Sequence, residues 1–268
     1  MKILTKGTYY GAMRSEVRVN GIVLSEYNYE SPQTDWHYHE NPYFMYVIQG
    51  NMYDINKKGK SQCVSGDLLF HNWQDPHQNT RESRFARGFH MEFERSWFEE
   101  KRWDIALWEG SRILEHPELH QILAQLYYEF KCQDSFSEVS IELLLLRLCE
   151  RLEINSQTTS ISEPAWVPRL KELLQDTKKP VSLASLSEDL DVHPAHLSRA
   201  IPKYLNTTLG DYLRRQKVQR SLGYIMDSNY SLTEISYLCG FSDQSHFIRA
   251  FKMYFGITPK TFRRQLSA

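Results

Sequence analysis

Three histidines in the first third of the chain have the type and spacing to hold a ligand. His37 and His39 flank Tyr38, and His77 follows in the run GDLLFHNWQDPHQN. On a strand, alternation puts His37 and His39 on one face. Three imidazoles are enough for zinc with one open position, so His37, His39 and His77 are candidate ligands for a divalent metal. The same three also suit the rim of a barrel, hydrogen-bonded to backbone or to a bound molecule. Around them stand Trp36, Tyr43, Tyr46, Tyr53 and Trp73. Such rings stack on small molecules such as sugars, and they equally fill small cores. The candidate ligand set is therefore His37, His39, Tyr43, Tyr46, Trp73 and His77.

Strands must carry these residues. Between Gly21 and Phe93 the segments GIVLSEY, PYFMYVIQG, MYDIN, GDLLF and GFHMEF are rich in β-branched and aromatic residues. Gly50-Asn51, Lys58-Gly59, Gly66-Asp67 and Asp75-Pro76 break them, a pattern that predicts a small barrel or sandwich. From about 112 to 155 the period turns helical. HPELHQILAQLYYEF and EVSIELLLLRLCERLEI each carry a broad apolar face, suited to covering the barrel or to pairing two copies of the chain. The polar stretch NSQTTSISE, followed by Pro164, reads as a linker. The division is then 1–155 as a first domain, 156–165 as linker and 166–268 as a second domain.

Charge follows that division. The 268 residues sum to −1, yet the part from Trp166 onward carries 15 Lys+Arg against 9 Asp+Glu. A basic C-terminal part suits a phosphate backbone, and the acidic remainder does not. The four cysteines are scattered without a C-x-x-C pair, which predicts a reducing, cytoplasmic setting. No apolar run approaches the ~20 residues that span a bilayer, so no membrane partner is expected.

The second domain reads as a pair of helix-turn-helix units. In SLTEISYLCGFSDQSHFIRAFKMYFGITPKTFRR, Ser231 and Glu234 have capping-box spacing, Gly240 supplies the turn and Ser242 is the expected cap of the next helix. Gly256 closes that helix, and Thr258-Pro259 starts another. The segment LSRAIPKYLNT matches FIRAFKMYFGI at an offset of 50 residues, so the unit occurs twice. A helical connector from about Thr208 to Met226 spans about 28 Å at 1.5 Å per residue. That approaches the ~34 Å between successive major-groove faces of B-DNA.

On these residues the part from Trp166 to Arg264 resembles the DNA-binding domain of the AraC/XylS family of transcription regulators. GFSDQSHFIRAFKMYFGITPKTFR carries the likeness most fully. The HxH pair, Gly50, Gly66-Asp67 and His77 are similar to the cupin motifs, with Tyr43 at the glutamate position and Asn72-Trp73-Gln74 in place of a proline-glycine turn. The resemblance implies an α+β chain of two domains, a cupin-like β-barrel with helices ahead of an all-α double helix-turn-helix domain. It implies that Ala195, His196, Ser198 and Arg199 on the first reading helix face double-stranded DNA, as do Gln244, Ser245, His246 and Arg249 on the second. It further implies a homodimeric activator, not an enzyme, that answers a small-molecule effector in the barrel and acts on RNA polymerase. The rivals are a metal-dependent cupin enzyme with a DNA-binding tail and a constitutive DNA binder with a ligandless barrel. Two departures stand in the first unit. Asp191 replaces the turn glycine, and Pro202 predicts a short or kinked reading helix that discriminates sequence less than the second.

Overall fold

The computed structural model describes residues 1–81, 84–101, 103, 110–114, 119–158, 164–175, 181–205, 207–225 and 229–267. Its N-terminal part is built from strands β1 (Lys2–Leu4), β2 (Ala12–Val19), β3 (Ile22–Tyr29), β4 (His37–His39), β5 (Tyr43–Gln49), β6 (Asn51–Asn56), β7 (Gly59–Val64), β8 (Leu68–His71), β9 (His77–Thr80), β10 (Ala86–Phe93) and β11 (Arg112–Leu114). Helix α1 (Arg95–Glu100) follows β10, and α2 (Leu119–Cys132) and α3 (Ser137–Thr158) follow β11. The C-terminal helices are α4 (Trp166–Gln175), α5 (Leu183–Leu190), α6 (Pro194–Leu205), α7 (Leu209–Ile225), α8 (Leu232–Leu238), α9 (Gln244–Phe255) and α10 (Pro259–Ser267).

The α+β class is as expected, but the strands do not close into a barrel. Among the described residues they form two facing sheets, ordered β1-β4-β9-β6-β7 and β11-β8-β5-β10-β3-β2. Register shifts between Arg87 and Gly88 and between Met13 and Ser15 bend the larger sheet. Bulges of this kind increase twist and curl without joining edges. Arg112–Leu114, read from sequence as the start of the helical part, is instead an edge strand paired with β8. Helix α3 runs through Thr158 into the expected linker, and residues 159–163 of that linker lie outside the described residues.

Alternation along the larger sheet sorts side chains into two cores. Phe44, Tyr46, Ile48, Phe89, Met91 and Phe93 point outward, and Tyr43, Met45 and Val47 point between the sheets. Both faces are covered, which explains why β5 reads YFMYVIQ as one nearly unbroken apolar run. Helices α2 and α3 lie on the outer face through Ile122, Leu126, Phe130, Ile141, Leu145 and Leu148. An ion pair from Lys131 to the buried Glu26 of β3, at 3.4 Å, fixes α2 there.

That outer core does not end at the sheet helices. It continues into Val218, Leu222 and Ile225 of α7, Ile235 of α8, Phe247, Phe251 and Phe255 of α9, and Phe262 of α10. The first helix-turn-helix has its own core of Leu170, Leu174, Leu186, Leu190, Leu197, Ile201, Leu205 and Tyr212. Helix α7 therefore serves two cores, one at each end. Its apolar residues form no single stripe for that reason.

Candidate nucleic-acid interface and sensor site

Local chemistry sets the two reading units. Ser231 accepts from the Glu234 N–H at 3.2 Å while Glu234 Oε2 accepts from the Ser231 N–H at 2.8 Å, the expected capping box. Asp243, and not Ser242, caps α9: its Oδ1 accepts from the His246 N–H at 2.7 Å. Ser242 is turned to His246 Nδ1, 3.1 Å away. A carboxylate at this position also meets the positive end of the helix dipole, which favours it over a hydroxyl. Gly240 has φ of +76°, and Lys217 Nζ donates to its carbonyl at 2.6 Å, tying the turn to α7.

In the first unit Asp191 takes up φ of +51°, the left-handed conformation that the glycine would have supplied. Pro202 does not shorten its helix: α6 and α9 are both 12 residues long. Pro202 sits in the last turn and is exposed, as is Ser198, whose carbonyl loses a partner. A carbonyl in an exposed turn is open to solvent, so the break expected of a buried proline does not follow.

The structure presents the expected DNA-facing residues as follows. Ala195, His196, Ser198 and Arg199 are exposed on α6, with Leu197 and Ile201 buried behind them. Ser245 and Arg249 are exposed on α9, with Phe247 and Phe251 buried. Gln244 and His246 are half-buried, and Gln244 Oε1 accepts from Thr233 at 2.7 Å. Arg199 Nε donates to the Ala195 carbonyl at 3.1 Å. Helix α7, 17 residues long, spans about 26 Å between the two units. Tyr254 donates to Asp211 Oδ1 at 2.8 Å and so binds α9 to the start of that spacer.

Between the sheets the histidines converge. His37 pairs with His77 across β4 and β9, and His37 and His39 are both buried on one face of β4. Nitrogen atoms of His37, His39 and His77 lie within 4.8 Å of one another. The donor set fits a divalent ion after modest contraction, with imidazole nitrogens as the ligands. Burial, with the neighbouring imidazoles, pushes the His39 and His77 basicities well below the usual histidine range, and burial alone leads for His37. Neutral imidazoles with free lone pairs are the form that binds metal.

Tyr43 joins the cluster, its hydroxyl 3.1 Å from His77 Nε2. Tyr46 does not, because it follows Tyr43 by an odd number of residues and its ring lies in the outer core. Trp73 is half-buried under Arg95, whose guanidinium carbon is 4.5 Å from the ring centre. Gln74 takes φ of +57° in the turn before His77, and its N–H donates to the His39 carbonyl at 3.1 Å.

Sequence reading missed five members of this interior. His71 and His90, both buried, are held to pKa values of about 3 by burial. Asp54 and Glu92 are buried carboxylates whose pKa burial raises. Tyr9 reaches in from the N-terminal segment, its ring 3.9 Å from His90 and 4.8 Å from His39. Glu92 accepts from the Gly7 N–H at 2.8 Å and from Tyr9 at 3.0 Å. His71 stands in the same GDLLFHNWQDPHQN run as His77 and was legible there. Tyr9 carried no local signal.

A cavity of about 1130 Å³ lies elsewhere, where the β7–β8 turn, α2 and α7 meet. Lys60, Arg84, Arg215 and Arg220 line it with His120 and Tyr230. Gln219 of α7 donates to Asp67 Oδ1 at 2.6 Å across this junction.

Residues 186–265 match the family model of a helix-turn-helix domain. The transcriptional regulator ArgR of Pseudomonas aeruginosa is 26% identical over 132 residues, 47% of this chain and 40% of that protein. PqrA of Proteus vulgaris, a probable transcription factor, is 34% identical over 68 residues, 25% of this chain and 56% of that protein. The chain thus spans less than half of ArgR and little more than half of PqrA. A solved structure of apo ToxT from Vibrio cholerae aligns over 93% of this chain and 100% of its own, at 11% identity and a TM-score of 0.43. With two exposed reading helices on either end of α7 and the match across the second unit and most of the first, the C-terminal region of this chain is a helix-turn-helix domain of the AraC type.

Proposed function

We propose that this protein is a sequence-specific DNA-binding transcription regulator whose N-terminal half takes a small-molecule effector. One observation carries the reading: two helix-turn-helix units share the spacer α7, and both expose their reading faces while burying the opposite ones. Arginine suits bidentate contact with guanine and glutamine suits adenine, so Arg199, Arg249 and Gln244 read bases while Ala195, His196, Ser198, Ser245 and His246 complete the two faces. A single chain with two unlike readers recognises an asymmetric site. The protein acts in the cytoplasm as an activator that contacts RNA polymerase, and not as an enzyme. A homodimer is supported by Phe136, just ahead of α3, with Val139 and Leu143 on it, an exposed apolar set on the side of α3 opposite the face that covers the sheet.

Effector and DNA are coupled only if the effector binds two arrangements of the chain unequally. The interior between the sheets, with His37, His39, Tyr43 and His77, is one site for it. The junction cavity favours a second reading, in which the effector touches α7 directly. Genomic DNA enrichment on the purified full chain tests the function. Recovery of a discrete set of sites, lost on Arg249→Ala, supports it, and indiscriminate recovery overturns it. A screen of sugars and other small metabolites for a rise in melting temperature tests the effector, since specific binding stabilises by mass action.

A further inference from the structure

The interior between the sheets holds a second set of metal donors besides the HxH pair with His77. Asp54 of β6, His71 of β8 and His77 of β9 place one oxygen and two nitrogens within 4.8 Å of one another, all buried. The hydrogen bonds around them settle which atoms carry lone pairs. Ser111 Oγ has one proton, which it donates to Asp75 Oδ2 at 2.6 Å. Toward His71 Nδ1, 3.0 Å away, the same hydroxyl can only accept, so the His71 proton is on Nδ1. The His77 proton is likewise on Nδ1, where it is donated to the Asp75 carbonyl at 3.1 Å. Both Nε2 atoms are therefore lone-pair donors.

His71 Nε2 is buried without a hydrogen-bond partner among the described residues, and it lies 3.6 Å from Asp54 Oδ1. A lone pair facing a carboxylate in a buried interior is unfavourable by itself. At 3.6 Å the two atoms are too far apart for a hydrogen bond. They are close to the roughly 3.3 Å that separates two ligands of one tetrahedral ion with bonds near 2.05 Å. Asp54 is held in turn, Oδ1 by Asn79 at 3.1 Å and Oδ2 by Asn56 at 2.8 Å. Every member of this set has the outer partner that orients a metal ligand. His39, in the HxH set, has a buried Nδ1 with no partner among the described residues.

We propose that Asp54, His71 and His77 bind one divalent transition-metal ion of the zinc class. Two imidazoles and a carboxylate form a ligand set of charge −1, one of the sets that hold zinc with an open position. Asp54 and His77 come from the smaller sheet and His71 from the larger. The ion joins two sheets that backbone hydrogen bonds do not close. Tyr43, whose hydroxyl now donates to His77 Nε2, turns away when the ion takes that lone pair.

The test uses full-length protein stripped with chelator and titrated with cobalt(II), a coloured substitute for zinc. One ion per chain with a tetrahedral absorption band, displaced by zinc, is the expected result, together with a rise in melting temperature. Asp54→Asn and His71→Gln abolish the band, and His39→Gln retains it. Ser111→Ala removes the hydroxyl that fixes the His71 tautomer, leaves Asp75 Oδ2 the Ser111 backbone N–H at 2.8 Å, and weakens binding about 10- to 100-fold with the circular dichroism unchanged. No cobalt band in the wild type overturns the proposal. So does a band that survives Asp54→Asn and His71→Gln, or a folded Ser111→Ala that binds as the wild type does.

Discussion

Gly66→Ala tests how α7 is seated on the N-terminal half. Gly66 has φ of +96°, and a β-carbon there would lie 2.5 Å from Gln219 Cγ and 2.9 Å from Leu222 Cδ1. The backbone conformation costs an alanine roughly 1–2 kcal/mol. Leu222 is buried at 1% exposure and cannot retreat, and the Gln219 amide is held by Asp67. Forcing a methyl into such packing costs about 1–3 kcal/mol more. The variant should lose about 2–5 kcal/mol in urea unfolding, the sum of the two ranges. Gln219→Ala removes the clashing Cγ, so the double variant should recover at least ~1 kcal/mol relative to the two single losses added together. DNA affinity should also change in Gly66→Ala, although residue 66 is in the turn between β7 and β8 of the N-terminal half. Losses that add to within about 0.5 kcal/mol would refute the contact between α7 and this turn.

Arg249→Ala should weaken binding to the selected site by roughly 5- to 150-fold, the range of about 1–3 kcal/mol for a base contact, and relax preference at one base pair in a mobility-shift series. Arg199→Ala should behave alike at its own position, now that α6 proves as long as α9. Asp243→Ala should cost about 1 kcal/mol in unfolding through loss of the α9 cap. Arg263 donates to the Ile225 carbonyl at 2.8 Å and to the Tyr230 carbonyl at 2.9 Å, so Arg263→Ala should lower stability by about 1–2 kcal/mol. Burial, then the charge of Arg215, lowers the His120 pKa to about 3 from its ordinary 6.5. Between those values the unfolded chain binds the extra proton, so stability falls as pH drops from about 6.5 toward 3 and is unaffected above. His120→Gln should therefore lose less stability between pH 7 and pH 5 than the wild type, as read from urea midpoints, and an equal loss refutes the assignment.

The sequence by itself determined what local chemistry controls. Ser231 with Glu234, Gly240, Gly256 and Thr258-Pro259 punctuate helices because caps and left-handed turns depend on a few adjacent residues. The duplicated segment disclosed two helix-turn-helix units, and alternation put His37 and His39 on one face. Tertiary structure decided the rest. Whether Tyr46 joins Tyr43 depends on the sheet having two buried faces, which a run of apolar residues does not resolve. Pro202 is tolerated because its turn is exposed, and exposure is a property of the assembled molecule. Tyr9, Asp54, His71, His90 and Glu92 come from four separate segments, His90 and Glu92 sharing β10, and only the packing of the two sheets brings them together. The same holds for α7, whose one end belongs to the first helix-turn-helix and whose other end shares a core with the N-terminal half. Contacts that distant in sequence are fixed by which faces find each other on burial, and local pattern carries no record of that choice.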